Sequence, residues 1–588
     1  MSKRRLFTAR ATVMAALFVL GGCGVDIDPP MQMNEQLKGP AAVLFNIDGS
    51  MRQFSNPADM FPSLSLSQHR LETLLTKAAG DLQVQEVVIH FGSTSLSFAR
   101  AGELAQSIRQ VAVRGKPVTC HIDEADNTTY WIAATACPRI LVSPAGGVEV
   151  LGLSLEAVFV RELLASLGVQ ADLLHIGKYK DAAEPLTRDD MSPEAREAAK
   201  SLLFELHRIS VEGIAAARRL EKGAVQGLID NGPYDAEETV KLGLADGVST
   251  LGAHLDALRA KYVGGVIDDY GKAPVQPFSF SELMKMFSNE ASKAASPTYP
   301  RIALVPAIGP IASGTANEFF MGDETIFDQE LVEALSELAR DDTVKAVVLR
   351  IDSPGGSALA SDNIWHAVRA LAAVKPVIAS MGDVAASGGY YIASAATEIF
   401  ASPSTITGSI GVVGGKVVLA DAAAKLGIKT ERIETGKRAG LTSPFTPFND
   451  DERQVITKLM QRAYDLFVDR VVTGRKLDRN KVLAAAEGRV WTGSQALKLG
   501  LVDQNAGLAA AVERARSLAG LAPGTPVDLF PKPKNLMDML SEALAEPEAV
   551  SLRALARKHR SVRQAVALTT LLLDHQVLAF MPAFFEIR

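Results

Sequence analysis

A series of motifs occurs twice in this chain, about 260 residues apart, so whatever fold one half takes the other must take again. Tyr130-Trp131-Ile132-Ala133 returns as Tyr390-Tyr391-Ile392-Ala393, and Lys116-Pro117-Val118-Thr119 as Lys375-Pro376-Val377-Ile378. Lys241-Leu242-Gly243-Leu244-Ala245-Asp246 returns as Lys498-Leu499-Gly500-Leu501-Val502-Asp503. Short continuous apolar runs at 42–47 and 86–91 in the first half, and at 301–305 and 345–351 in the second, predict buried strands. Residues 102–114 have helical spacing. Strands alternating with helices predict a mainly parallel sheet, so the fold class is α/β. Each half also predicts one long amphipathic helix. In the first, Ser192-Pro193 caps it, and Leu202, Leu206, Ile209 and Gly213 fall on one stripe.

The N-terminus reads as an address. Lys3, Arg4, Arg5 and Arg10 precede an apolar run, 11–20, that is too short to span a bilayer, for which about 20 residues are needed. Leu20-Gly21-Gly22-Cys23 resembles a bacterial lipobox, which makes Cys23 a candidate lipidation site and puts the bulk of the chain outside the cytoplasm. The expected organisation is a signal peptide with lipobox (1–23), a spacer (24–39), an N-terminal domain (40–265), a Pro- and Ser-containing connection (266–300), a C-terminal domain (301–530) and a helical tail (531–588). The tail ends in an apolar run, 577–585, that must be covered by something. A net charge of −6 provides no electrostatic footprint for nucleic acid. Cys120 and Cys137 could pair in an oxidising compartment, but their spacing says nothing of their approach, and the expectation is that they stay free.

Two copies of one fold provide their own comparison, and chemistry is expected where they diverge. After the Lys-Pro motif the second half has Gly382-Asp383-Val384-Ala385-Ala386-Ser387-Gly388-Gly389-Tyr390, where the first has Asn127-Thr128-Thr129-Tyr130. The small residues allow a tight turn, so Ser387 is expected at a helix N-terminus, where unpaired N–H groups and the helix dipole favour developing negative charge. The second half alone also owns a Gly-Gly corner, Asp352-Ser353-Pro354-Gly355-Gly356-Ser357. The reverse asymmetry is Lys180. With Pro185 aligned on Pro444, Lys180 falls opposite Ala439, so each half holds a piece the other lacks. His175 and His366 are expected to be structural. Chain spacing shows no metal-ligand pattern and no phosphate loop in context.

These motifs, with Gly177-Lys178-Tyr179-Lys180, Glu184-Pro185, Arg188 to Pro193 and Ser404 to Gly411, resemble the long form of bacterial signal peptide peptidase A, over roughly 40–520. The resemblance implies two tandem ClpP/crotonase-like domains and a membrane-bound serine protease, facing the periplasm, that needs no cofactor. Ser387 would be the nucleophile, Lys180 the general base, and Ser409 the residue orienting the lysine. Backbone N–H groups of Gly388 and Gly356 would hold the oxyanion. A neutral lysine requires burial, with Asp181 and Glu184 pointing elsewhere. Substrates would be signal peptides and other hydrophobic peptides, and the assembly a homo-oligomer, a tetramer by resemblance. The alternatives are a crotonase-type acyl-CoA enzyme, which an export signal disfavours, and a catalytically silent membrane scaffold.

Overall fold

The computed structural model describes residues 39–54, 66–271, 298–315, 325–531, 577–581 and 585–587. Cys23, the expected export signal and nearly all of the expected spacer lie outside the described residues, as do most of the connection and of the C-terminal tail. The first copy contributes β1 (Ala41–Ser50), β2 (Val84–Ser95), β3 (Val118–Ala125), β4 (Arg139–Val148), β5 (Leu155–Ala157), β6 (Gln170–Ile176), β7 (Tyr234–Asp235), β8 (Gly247–Val248) and β9 (Val266–Ile267). The second begins with β10 (Arg301–Ile308), β11 (Ile311–Ala312), β12 (Ile326–Phe327), β13 (Val344–Ser353), β14 (Gly355–Ser357) and β15 (Val377–Ala386). It continues with β16 (Glu398–Ala401), β17 (Ile406–Gly408), β18 (Val412–Val418), β19 (Val490–Thr492), β20 (Gln504–Asn505) and β21 (Val527–Leu529). Two strands of the tail follow, β22 (Val577–Phe580) and β23 (Phe585–Ile587).

The two main sheets run β7-β4-β3-β2-β1-β9 and β19-β17-β15-β13-β10-β21, so the order matches position for position. Their central pairs are parallel. Continuous Val/Ile/Ala runs suit strands covered on both faces, and Val87, Val88, Ile89, Val347, Val348 and Leu349 are all fully buried. The duplication extends to single bonds. Tyr130 Oη donates to the Leu244 carbonyl at 2.9 Å and Tyr390 Oη to the Leu501 carbonyl at 3.0 Å. Asp246 accepts the Ile140 amide and Asp503 the Ile399 amide, each at 2.7 Å. Each half has a 26-residue helix, Pro193–Arg218 capped by Ser192 and Asp450–Arg475 capped by Asn449. Leu202 and Leu206 are buried on the first of these, while Val211 and Ile214, one step round from the expected stripe, complete its inner face.

A third sheet, β12-β11-β14-β22-β18-β6, joins the copies. β6, from the first half, lies antiparallel to β18, from the second, with Ile176 opposite Val412 and Gln170 opposite Val418. A second joint is ionic: Glu103, on the helix Phe98–Val113, makes two 2.7 Å bonds to the guanidinium of Arg350 on β13. Both side chains are buried. Against expectation, Cys120 and Cys137 are joined by a disulfide, with Cα atoms 5.8 Å apart. Cys120 lies on β3, and the helix Asn127–Ala136 that follows β3 returns Cys137, its C-cap, to the same place. Among the described residues no helix is long and apolar enough to cross a membrane.

Candidate active site

β15 ends at Ala386, and the helix Gly388–Ala393 starts two residues later with Ser387 as its N-cap. So abrupt a reversal leaves Ser387 at φ 53°, ψ −115°, a conformation non-glycine residues rarely hold and one that costs about 1–3 kcal/mol. Surrounding bonds impose it: the Ser387 amide donates to the Gly408 carbonyl and the Tyr391 amide to the Ser387 carbonyl, both at 2.8 Å. Gly388 and Gly389 follow because nothing larger fits. A Cβ on Gly388 would fall 2.6 Å from Ser361 Oγ, and one on Gly389 2.7 Å from the Ser353 carbonyl oxygen.

Lys180 follows β6, the strand that crosses from the first copy into the third sheet, and the crossing carries it to Ser387. Its Nζ is 2.8 Å from Ser387 Oγ, 2.9 Å from the Ser409 carbonyl oxygen and 3.0 Å from Ser409 Oγ. Three partners match a neutral amine: two N–H groups donate to Ser409, and the lone pair accepts the Ser387 hydroxyl proton. Burial favours that state, pulling the amine from 10.5 to about 7 against an opposing pull from the Asp181 carboxylate. Asp181 was expected to point away. Instead it stays within electrostatic reach, but burial and Glu184 push its own carboxyl up to about 7, which removes much of its charge. Glu184 turns to the Ser192 amide at 3.0 Å.

The Gly-Gly corner stands beside the serine. A Cβ on Gly355 (φ +99°) would lie 2.6 Å from the Gly388 amide nitrogen. The Gly355 amide donates to Ser353 Oγ at 3.1 Å, so Gly356 is the corner residue whose amide is not taken up by that bond. Half-buried Asp352 holds β13 to β15 by accepting the Val384 amide at 3.1 Å, and desolvation together with Asp383 pushes its carboxyl up to about 7. Sequence reasoning passed over Asp352 in this role, and also Gly488. At φ +79°, a Cβ on Gly488 would fall 2.5 Å from the Lys180 amide nitrogen and 2.6 Å from its Cα. Gly488→Ala is therefore expected to displace the lysine and lower peptide hydrolysis about 10- to 100-fold with an unchanged circular dichroism spectrum. Activity within twofold of wild type would show that the lysine tolerates the shift.

His175 lies exposed on β6, its Nδ1 donating to the Gly177 carbonyl, and His366 is exposed beside Arg470. Neither approaches the serine through any of these bonds. Chain spacing suggested no metal cluster, yet the fold brings His90, His121 and Asp123 together on β2 and β3 of the first copy. His121 donates from Nε2 to the Ser249 carbonyl, leaving its buried Nδ1 without a hydrogen bond. Of the three, Asp123 lines a cavity of about 450 Å³, with Gly92, Ser93, Thr94 and Ser143. Parallel neighbours on a sheet supplied what residue spacing hid.

Comparison with known proteins agrees with this architecture. A family model described as Peptidase family S49 matches residues 111–262 and again 369–522. Serine protease SPPA, chloroplastic, of Arabidopsis thaliana is 32% identical over 480 residues, covering 81% of this chain and 70% of that one. Protease 4 of Haemophilus influenzae is 33% identical over 424 residues, covering 71% and 67%. Among solved structures, a ClpP1 mutant from Listeria monocytogenes aligns with 36% of this chain and 94% of its own at 14% identity, with a TM-score of 0.24. With both copies matched separately and most of the chain aligned to two-thirds or more of these relatives, the protein is a peptidase built from two tandem α/β copies and belongs to Peptidase family S49.

Proposed function

We propose that the chain is a serine endopeptidase working through a Ser387/Lys180 dyad, with extended, hydrophobic peptides of the signal-peptide kind as substrates at a membrane surface. The observation that carries this is the 2.8 Å contact between a buried, neutral-leaning lysine of one copy and a strained serine of the other. Lys180 Nζ takes the Ser387 proton as Oγ attacks the peptide carbonyl, then returns it to the leaving amine. The carbonyl oxygen, negative in the tetrahedral intermediate, is held by the Gly388 and Gly356 amides, at the positive end of the helix Gly388–Ala393. Ser409 fixes the amine through its carbonyl and hydroxyl, so the lone pair faces the serine. The same lysine then activates the water that releases the acyl group. A silent scaffold would have no use for a strained serine or for a lysine buried at a cost, and an acyl-CoA enzyme would not need the amine.

The test is the pH profile of kcat/KM on an apolar fluorogenic peptide. Only neutral Lys180 can accept the proton, and its folded pKa is depressed to about 7, so the rate should rise about tenfold per pH unit below 7 and level off above it. A flat profile between pH 5.5 and 8 would remove the lysine from the mechanism.

A further inference from the structure

Where the second copy carries a fixed cation, the first carries three ligand atoms. The Lys-Pro motif matches Val118 to Val377, so His121 falls opposite Ser380 and Asp123 opposite Gly382, while the strand register puts His90 opposite Arg350. His90 pairs with His121 across β2 and β3 as Arg350 pairs with Ser380 across β13 and β15. In the second copy the Arg350 guanidinium occupies the place and bonds to Ser380 Oγ at 2.9 Å and to the Met381 carbonyl at 3.0 Å, tying β13 to β15. In the first copy two rings with centroids 5.7 Å apart share that face with Asp123, two residues along β3 from His121.

Hydrogen bonds fix which nitrogen of each ring is free. Fully buried His121 donates from Nε2 to the Ser249 carbonyl at 2.9 Å, so Nδ1 carries the lone pair, and no hydrogen bond reaches it. That lone pair lies 3.9 Å from Asp123 Oδ1. His90 Nδ1 lies 3.0 Å from Asn46 Oδ1, which can only accept, so Nδ1 is the donor. His90 Nε2 then turns a second lone pair to Asp123 Oδ2 at 2.9 Å. Two nitrogen lone pairs and a carboxylate repel one another unless a proton or a metal ion sits among them. A ring whose second nitrogen is held by a carbonyl or amide oxygen is oriented as metal-binding histidines are. Ligand atoms on a tetrahedral zinc, about 2.0–2.1 Å from the metal, stand about 3.3 Å apart. The separations of 2.9 and 3.9 Å straddle that value, and the three ligand atoms lie within 4.8 Å of one another. The cavity that Asp123 lines adds the carboxylates of Glu124, Asp126 and Glu149 and, among its described lining residues, no basic one. Its charge attracts a cation and its volume admits water as a further ligand.

We propose that His90 Nε2, His121 Nδ1 and an Asp123 carboxylate oxygen bind one divalent transition-metal ion, zinc foremost, with water from the cavity as the remaining ligand. Two imidazole nitrogens and one carboxylate suit zinc, whereas magnesium and calcium take oxygen ligands. The ion ties β2 to β3 on the face where Arg350 ties β13 to β15, so each copy closes the same place with positive charge by a different device. Asp123 closes onto the metal by a small movement, since its side chain is half exposed and held through Oδ1 by Ser143 Oγ at 2.5 Å. The site lies in the first copy and shares no residue with the Ser387/Lys180 pair, so it stands whether or not that pair is catalytic.

The experiment titrates Zn²⁺ into the full-length chain by calorimetry after a chelator has stripped it, in a Ser387→Ala background so that proteolysis plays no part. His90→Gln, Asp123→Asn and, as a control at an exposed histidine of the second copy, His366→Gln are made in the same background. The parent and His366→Gln are expected to bind one ion per chain with affinities within twofold of each other. His90→Gln and Asp123→Asn are expected to bind it at least about 100-fold more weakly, since loss of an outer-shell partner alone costs about 10- to 100-fold. Co²⁺ in place of zinc should give the visible absorption of a four-coordinate centre in the parent and lose it in both ligand variants. Circular dichroism checks each stripped variant, and Asp123→Asn, at a half-exposed position, decides the matter if His90→Gln misfolds. No zinc binding by the parent would overturn the proposal, leaving a proton between His90 and Asp123. Binding that survives both ligand substitutions, or that His366→Gln abolishes, would also overturn it by placing the ion elsewhere.

Discussion

Lys180→Met is expected to lower peptide hydrolysis about 10⁴-fold or more, to the level of Ser387→Ala, while making the folded chain more stable. The two effects have one cause. Holding an amine whose pKa falls from 10.5 to about 7 costs the folded state about 4–5 kcal/mol at pH 7. Unfolded lysine binds a proton up to about pH 10 and the folded lysine releases it near 7, so the cost is full at and below neutrality and fades as pH rises through that window. Methionine removes the cost but leaves the Ser409 carbonyl and the Ser387 hydroxyl without a partner, an offset of about 1–3 kcal/mol. The net gain is about 2 kcal/mol at pH 7, read as a higher denaturation midpoint, and should shrink towards pH 10. An inactive variant no more stable than wild type at pH 7 would mean the lysine is not held at such a cost.

Glu103→Ala is the most damaging change expected away from the dyad. It leaves the Arg350 guanidinium, fully buried in the second copy, facing an empty space, and breaking a buried pair in this way costs about 3–5 kcal/mol. Glu103 also accepts the Leu508 amide at 2.9 Å, so a second contact between the copies goes with it. Because the lysine and the serine come from different copies, hydrolysis should fall along with the urea midpoint. Replacing both partners, Glu103→Leu with Arg350→Met, removes the stranded charge and should recover most of the midpoint. Failure of the double variant to recover would show that Arg350 is held by Ser380 Oγ and the Met381 carbonyl, its other partners, rather than by Glu103.

Much of this fold could be read from residues in order. The apolar runs, the matched Lys-Pro and Tyr-x-Ile-Ala motifs and the cap at Ser192 are local, and local signals survive in a single sequence. The contrast between the copies pointed to Ser387 and Lys180, because a duplicated fold that keeps a residue in one half only must answer for it elsewhere. Other features depended on partners distant in sequence. Gly488 matters only because the Lys180 backbone packs against it, more than 300 residues away in the chain. His90, His121 and Asp123 meet only because β2 and β3 are parallel neighbours, and Cys120 meets Cys137 because a helix doubles back.

The sequence by itself determined that one α/β unit occurs twice and that its copies hold different polar residues, since strand and helix periodicity and internal repetition need no knowledge of distant contacts. Only the tertiary structure decided that β6 crosses into the other copy's sheet, bringing an amine to a hydroxyl, and that β22 lies between β14 and β18. Main-chain pairing between strands is nearly indifferent to side-chain identity, so which edges meet is set by the packing of whole domains.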